Sequence, residues 1–243
     1  LSWQGPVLEA EDPYGDGISP SGLKPAKHVQ EIRLLPFGDR KAIKQAVYES
    51  GGVQSALYTS LQNRDSLSVY YNRESGAYCC PEEKTPNHDV VIIGWDDNYP
   101  AENFTKEVPG DGAFLCENSW GTGFGTDGFF YVSYYDANLG KTAIQYKKTE
   151  DTDRYDRIYQ SDLCGWIGQA GYGAETVWAV NVYTAESEEA LEAAGFYATG
   201  ENSGYEVYVV RELPQETDVL ETSCFQQREL CASGHLEYAG YYT

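Results

Sequence analysis

The sequence predicts an α+β chain in two blocks: a strand-rich domain with one short helix over residues 1–145, then an all-β sandwich or jelly roll over 146–243. Twenty-one tyrosines and 25 glycines stand against 17 lysines and arginines, a balance that suits half-buried pleated surfaces and tight turns better than helices. A clear helical apolar period occurs in a single segment, 39–51. Charge then rises abruptly through Lys147, Lys148, Glu150, Asp151, Asp153 and Arg154, the composition of a linker or a boundary between two cores.

Up to Lys27 the chain holds Pro6, Pro13, Gly15, Gly17, Pro20, Gly22 and Pro25, a density of breakers that leaves only ordered loop. Asp12 and Asp16 lie among these glycines, but their spacing misses the D-x-[DN]-x-[DN]-G calcium pattern. His28 continues the loop and reads as a surface residue. Over 39–51 an aspartate at the N-cap, apolar Ile43, Ala46 and Val47, and the pair Gly51-Gly52 predict a short amphipathic helix. Strands are expected at 53–58 and 67–71. Val90-Val91-Ile92-Ile93-Gly94-Trp95 is apolar without interruption and predicts a strand buried on both faces. Strands at 113–117 and, after a glycine-rich turn, 129–135 complete the first block. In the second, strands are expected at 176–183, 196–199 and 205–210, and the final Gly240-Tyr241-Tyr242-Thr243 reads as one cut short, so this domain is expected to be truncated.

No run of about 18 apolar residues occurs, so a membrane-spanning helix is not expected, and the opening Leu-Ser-Trp-Gln-Gly-Pro lacks the form of a signal sequence. A net charge of −21 repels phosphates and anionic headgroups, which argues against nucleic acid and membrane surfaces as partners. Methionine is absent, position 1 included, so the chain is expected to be a processed piece, a fragment or a sequence that has lost residues. Cys79, Cys80, Cys116, Cys164, Cys224 and Cys231 form no pair of C-x-x-C motifs at zinc spacing, and no metal or cofactor is expected. Adjacent Cys79 and Cys80 could bond to each other only through a strained ring, leaving partners elsewhere or free thiols.

Imidazole chemistry must choose among His28, His88 and His235, and His235, after Gly234, reads as a turn residue. His88 opens the apolar strand in Asn87-His88-Asp89-Val90, with Gly94-Trp95 beyond, and Asn118-Ser119-Trp120-Gly121 follows 30 residues later. These segments resemble the papain family of cysteine peptidases, whose histidine sits in N-H-x-V-x-x-x-G-[WY] and whose asparagine sits in N-S-W-G. The resemblance covers roughly residues 1–136. It implies a papain-like fold, mainly its β-rich right-hand half, and an endopeptidase acting on peptide or protein substrates. In that setting His88 is acid and base, Asn118 orients it, Trp120 shields the pair and Asn87 helps line the cleft. The chemistry needs these types together: an imidazolium holds a thiol ionised and later protonates the leaving amine, while an amide oxygen on the other ring nitrogen fixes the tautomer. In an extended strand Trp120, two residues beyond Asn118, shares its face.

Gly121, Gly123, Gly125 and Gly128 lack the strand–turn–helix context of a phosphate loop; the family usually carries a second tryptophan where Phe124 stands. Its nucleophile lies well upstream of the histidine, in Q-x-x-x-x-x-C-W at the start of a long helix, and no segment here matches. Cys79 and Cys80 precede Pro81 in a loop and Cys116 lies in the asparagine strand, so none substitutes. An N-terminal segment carrying the catalytic cysteine is therefore an expected partner, and this chain alone is expected to be inactive.

Beyond residue 153, Tyr155-Asp156-Arg157-Ile158-Tyr159-Gln160, Gly165-Trp166, Val177-Trp178-Ala179-Val180-Asn181-Val182-Tyr183 and Ala193-Ala194-Gly195-Phe196-Tyr197 resemble the lectin-like domain appended to some bacterial papain-type peptidases. That implies a β-sandwich, a cell-surface carbohydrate as a further partner, and an extracellular or cell-surface location. Asp151, Asp153 and Asp156 read as solvated linker in preference to a calcium site. The competing reading is a non-catalytic cell-surface or carbohydrate-binding protein with a relic peptidase domain, marked by serine or glycine at the nucleophile position.

Overall fold

The computed structural model describes all residues except 1–4, 16, 162–165, 170, 172 and 214–219, so Asp16, Cys164 and Gly165 lie outside the described residues. The chain divides into two compact units, Glu31–Thr149 and Leu1–Gln30 with Glu150–Thr243. Among the described residues there is one α-helix, with β-strands making up most of the remaining regular structure, an α+β chain.

The helix of the first unit, α1 (Arg40–Ser50), starts and stops where its sequence says. Asp39 Oδ1 accepts the backbone N–H groups of Lys41 and Ala42 at 2.9 and 3.0 Å, satisfying two donors that the first turn leaves without partners. Gly51 closes the helix at φ 83°, its N–H reaching Val47 O at 2.8 Å, a left-handed cap that glycine adopts without a Cβ penalty. The buried stripe Ile43, Ala46 and Val47 faces β2 (Val53–Leu57) and β5 (His88–Asp96).

The sheet of this unit also holds β1 (His28–Leu34), β3 (Tyr71–Asn72), β4 (Ala77–Tyr78), β6 (Ala113–Glu117), β7 (Phe129–Ser133) and β8 (Ala143–Glu150). Its order is β3-β4-β7-β6-β5-β2-β8-β1. Pairing is antiparallel from β7 through β6, β5 and β2 to β8, and parallel between β4 and β7. β5 is therefore central, flanked by β2 and β6.

Several expectations need correction. β1 was read as loop, with His28 on the surface; it is a strand, and His28 is buried. Its run His28, Val29, Gln30, Glu31 is buried at every position, so polar side chains sit inward and erase the alternation that marks a strand. The segment 67–71 gives turns, with only Tyr71 reaching β3. β5 is buried on one face: Val90 and Ile92 are covered, whereas Val91 and Trp95 are exposed. A bulge between Ile92 and Gly94 shifts its register against β6, which changes the facing of the residues that follow. The charged run does hold the boundary between the two units, at Thr149 and Glu150, but it begins inside β8. Its charges have partners: Lys147 reaches Glu49 at 3.3 Å, and Lys148 and Arg33 reach the buried Glu31 at 3.1 and 2.6 Å.

In the other unit, β9 (Phe196–Ala198) pairs antiparallel with β12 (Ala239–Tyr242), and β10 (Ser203–Val209) with β11 (Glu229–Leu236). Rings of Tyr197 and Tyr241 meet at 5.0 Å, and Phe196 meets Tyr205 at 5.2 Å and Tyr242 at 6.3 Å, an aromatic cluster that joins the two pairs. His235, expected in a turn, lies in β11 opposite Gly204. The segment 176–183 is not a strand; Val177, Trp178, Val180 and Val182 are all exposed. No helix among the described residues is long and apolar enough to cross a membrane.

Candidate active site

His88 is held from both sides of β5. Its backbone registers against Leu57 of β2, and across the other edge β6 ends at Glu117, paired with Val91, one residue before Asn118. Asn118 is buried and donates its backbone N–H to Gly128 O at 3.0 Å. From there its Oδ1 stands 2.9 Å from His88 Nε2. An amide oxygen only accepts, so Nε2 carries the proton and the lone pair of the neutral ring is on Nδ1.

Trp120 covers this pair, its ring centroid 4.9 Å from that of His88 and tilted by 32°. The route differs from the strand geometry expected: β6 stops at Glu117, and a turn at Ser119 and Trp120 brings the indole over. Phe124 fixes the indole from behind, edge-on at 5.2 Å, and itself stacks on Tyr71 at 5.2 Å and meets Phe130 at 5.3 Å. Only 2% of Phe124 is exposed, so its ring is the buried support that links the indole to Tyr71 and Phe130. The loop 121–128 closes through Phe124 N–H to Gly121 O at 3.2 Å and Gly128 N–H to Phe124 O at 2.8 Å.

Asn87 uses its whole side-chain amide on the neighbouring segment. Oδ1 accepts the Thr59 N–H at 2.8 Å and Nδ2 donates to Thr59 O at 2.9 Å, while its backbone N–H reaches Leu57 O at 3.1 Å. The amide thus mimics one more step of the β2–β5 ladder, just ahead of His88. Replacing Asn87 with alanine leaves a buried backbone pair unsatisfied, and should cost about 1–3 kcal/mol, read from the urea midpoint at constant slope. Thr59 was not singled out from sequence, because no local motif announces a partner 28 positions away.

The thiols nearest in sequence are the opposite of activated. Cys79, Cys80 and Cys116 are free and buried. Burial pushes the Cys79 thiol up to about 12 and raises those of Cys80 and Cys116 as well, with the negative charge of Asp136 acting in the same direction. A nucleophilic thiol needs its pKa lowered. Iodoacetamide at neutral pH should therefore label exposed Cys231 first and spare Cys79, Cys80 and Cys116 until the protein is denatured, which peptide mass mapping would show.

The fold thus brings a buried amide, an imidazole and an indole together at the start of the central antiparallel strand. The chain belongs to the papain family of cysteine proteases, whose model matches residues 9–149, and a lectin-like domain matches residues 158–243. Cathepsin S of Rattus norvegicus is 30% identical over 105 residues, 43% of this chain and 27% of that protein. Cathepsin K of Gallus gallus is 34% identical over 117 residues, 47% and 30% respectively. The solved cysteine protease and lectin-like domains of Cwp84, a surface layer associated protein of Clostridium difficile, superpose with a TM-score of 0.72 at 26% identity. That match covers 99% of this chain and 52% of the other. The chain thus spans under a third of these curated relatives and about half of the solved one.

Proposed function

We propose that the protein is a cysteine-type endopeptidase in which His88 and Asn118 are two members of a Cys–His–Asn triad and the thiol comes from an N-terminal segment of the same protein. The observation that carries this reading is the 2.9 Å contact of His88 Nε2 with Asn118 Oδ1, which leaves Nδ1 as the ring's basic atom. Nδ1 takes the thiol proton and the thiolate attacks the scissile carbonyl. The imidazolium then gives that proton to the leaving amine as the C–N bond breaks, releasing it and leaving a thioester. His88 next takes a proton from water, which attacks the thioester and frees the acid and the thiol. Trp120 excludes water from the His88–Asn118 bond, and in a drier site that bond is stronger. The peptidase domain is assigned to 1–145 and the lectin-like domain to 146–243. Peptide hydrolysis by the full-length protein, abolished by alkylation of one thiol upstream of Leu1, tests the proposal; hydrolysis that survives complete alkylation of thiols contradicts it.

A second reading concerns the lectin-like domain. Trp178, 60% exposed, stacks with Tyr208 at 5.8 Å, and the Arg228 guanidinium stands 5.1 and 4.9 Å from the two ring centroids. Glu206 accepts the Tyr208 hydroxyl at 2.8 Å. An exposed ring beside a charged donor and acceptor has the chemistry for the apolar face and hydroxyls of a sugar, which supports a cell-surface carbohydrate as partner and an extracellular or cell-surface location. Binding of the full-length protein to cell-wall polysaccharide, lost on Trp178→Ala, tests it; equal binding by the variant contradicts it. If this is the only activity, the peptidase domain is a relic.

A further inference from the structure

We infer that Arg64 selects a carboxylate on the leaving half of the cleaved peptide, an inference that rests on the peptidase reading above. His88 must reach the leaving nitrogen to protonate it, so that half of the substrate passes beside the imidazole. Beside the imidazole lies Trp120, ring to ring at 4.9 Å, and Asn87, the residue before His88, holds Thr59 at the base of the segment 59–66.

That segment is tied to the site at its base and braced at its tip. Thr59 is held by Asn87, next to His88, and Leu61 N–H reaches Thr59 Oγ1 at 3.0 Å. Ser66 Oγ accepts the N–H groups of Gln62 and Asn63, each at 3.2 Å, and Asn63 Oδ1 accepts Asp65 N–H at 2.9 Å. Arg73 donates to the carbonyls of Arg64 and Ser66 at 3.2 and 2.9 Å. Arg64 at this tip lays its side chain against Gly123, so closely that a methyl group on Gly123 would stand 2.9 Å from Nη1 and 3.4 Å from Cδ. Gly123 is three residues beyond Trp120, so the cation rests on the loop that carries the cover of His88.

Its charge is poorly matched by the protein. The ion pair of Arg64 is a 3.7 Å contact with the adjacent, exposed Asp65, and such pairs neutralise little. In a chain of net charge −21, a guanidinium kept at this position offers a planar fork suited to a carboxylate. The ligand is an aspartate or glutamate side chain, or the free C-terminal carboxylate of a short leaving peptide.

The test uses the full-length protein and matched peptides carrying Glu, Gln or Lys in the leaving half, each with an amidated or a free C-terminus. The Glu peptide should be cleaved about fivefold to tenfold faster in kcat/KM than the Gln peptide, a ratio that shrinks as salt screens the charge. If the free terminus supplies the carboxylate, the advantage follows the terminus and not the Glu. Arg64→Gln removes the charge while retaining the Cδ that lies against Gly123 and should bring the ratio to about one; Arg64→Glu should reverse it in favour of Lys. Equal cleavage of all peptides by the unmodified protein, or an acidic preference that survives Arg64→Gln, overturns the inference and leaves the peptidase reading standing. If none of the peptides is cleaved, both fall together.

Discussion

On the proposed mechanism, replacing His88 with alanine in the full-length protein should lower kcat/KM for peptide hydrolysis by about 10⁴-fold, and replacing Asn118 with alanine should lower it by about 10²-fold. The difference follows from what each side chain does. Without His88 nothing at that position can take the thiol proton or return it to the leaving amine. Without Asn118 the imidazole remains, but the 2.9 Å contact that pins Nε2 is gone, and the ring spends most of its time in other tautomers and orientations. The loss should fall on kcat more than on KM, because neither side chain holds the ground-state peptide. Steady-state kinetics on both variants check this, with far-ultraviolet circular dichroism to confirm the fold. Activity within a few-fold of the parent for His88→Ala would show that another group is the base.

Replacing Gly125 with alanine should destabilise the protein by about 3 kcal/mol or more, enough to displace the loop over the site. Gly125 has φ 56°, which costs a residue with a Cβ about 1–2 kcal/mol. Beyond that, an added Cβ would lie 2.1 Å from Phe129 O and 3.0 Å from its carbonyl carbon. Those are backbone atoms, and Phe129 O accepts the Thr126 N–H at 2.9 Å, so the turn cannot open without losing that bond. Gly121 provides the control. It too has a left-handed φ, 76°, but nothing lies within 4 Å of its missing Cβ, so Gly121→Ala should cost only about 1 kcal/mol. Denaturant unfolding of both variants separates clash from conformational preference; equal, small losses would contradict the packing described.

What could be read from sequence tracks how local its cause is. The helix was legible because Asp39, the Ile43–Ala46–Val47 stripe and Gly51 all lie within one short stretch. The contact of His88 with Asn118 was legible because one opens and the other follows a strand with its own apolar signal. β1 was not, since its inward polar residues find partners far along the chain, as Glu31 does in Lys148. The bulge in β5 was hidden in a uniform apolar run that gives no facing. The resemblance sets Asn87 beside the cleft, but no local signal tells that its amide engages Thr59 through both its oxygen and its nitrogen. Arg64 carries no motif at all; its position depends on a loop tip meeting Gly123 across 59 positions of chain.

On the function proposed above, His88 and Asn118 are two thirds of a catalytic triad that a thiol from an N-terminal segment completes. The most direct measurement is a crystal structure of the full-length protein. A cysteine Sγ within about 4 Å of His88 Nδ1, with the 2.9 Å contact of Nε2 and Asn118 retained, is the result expected. Serine, glycine or open solvent facing Nδ1 would contradict the claim and leave the relic reading, with its carbohydrate-binding domain, in its place.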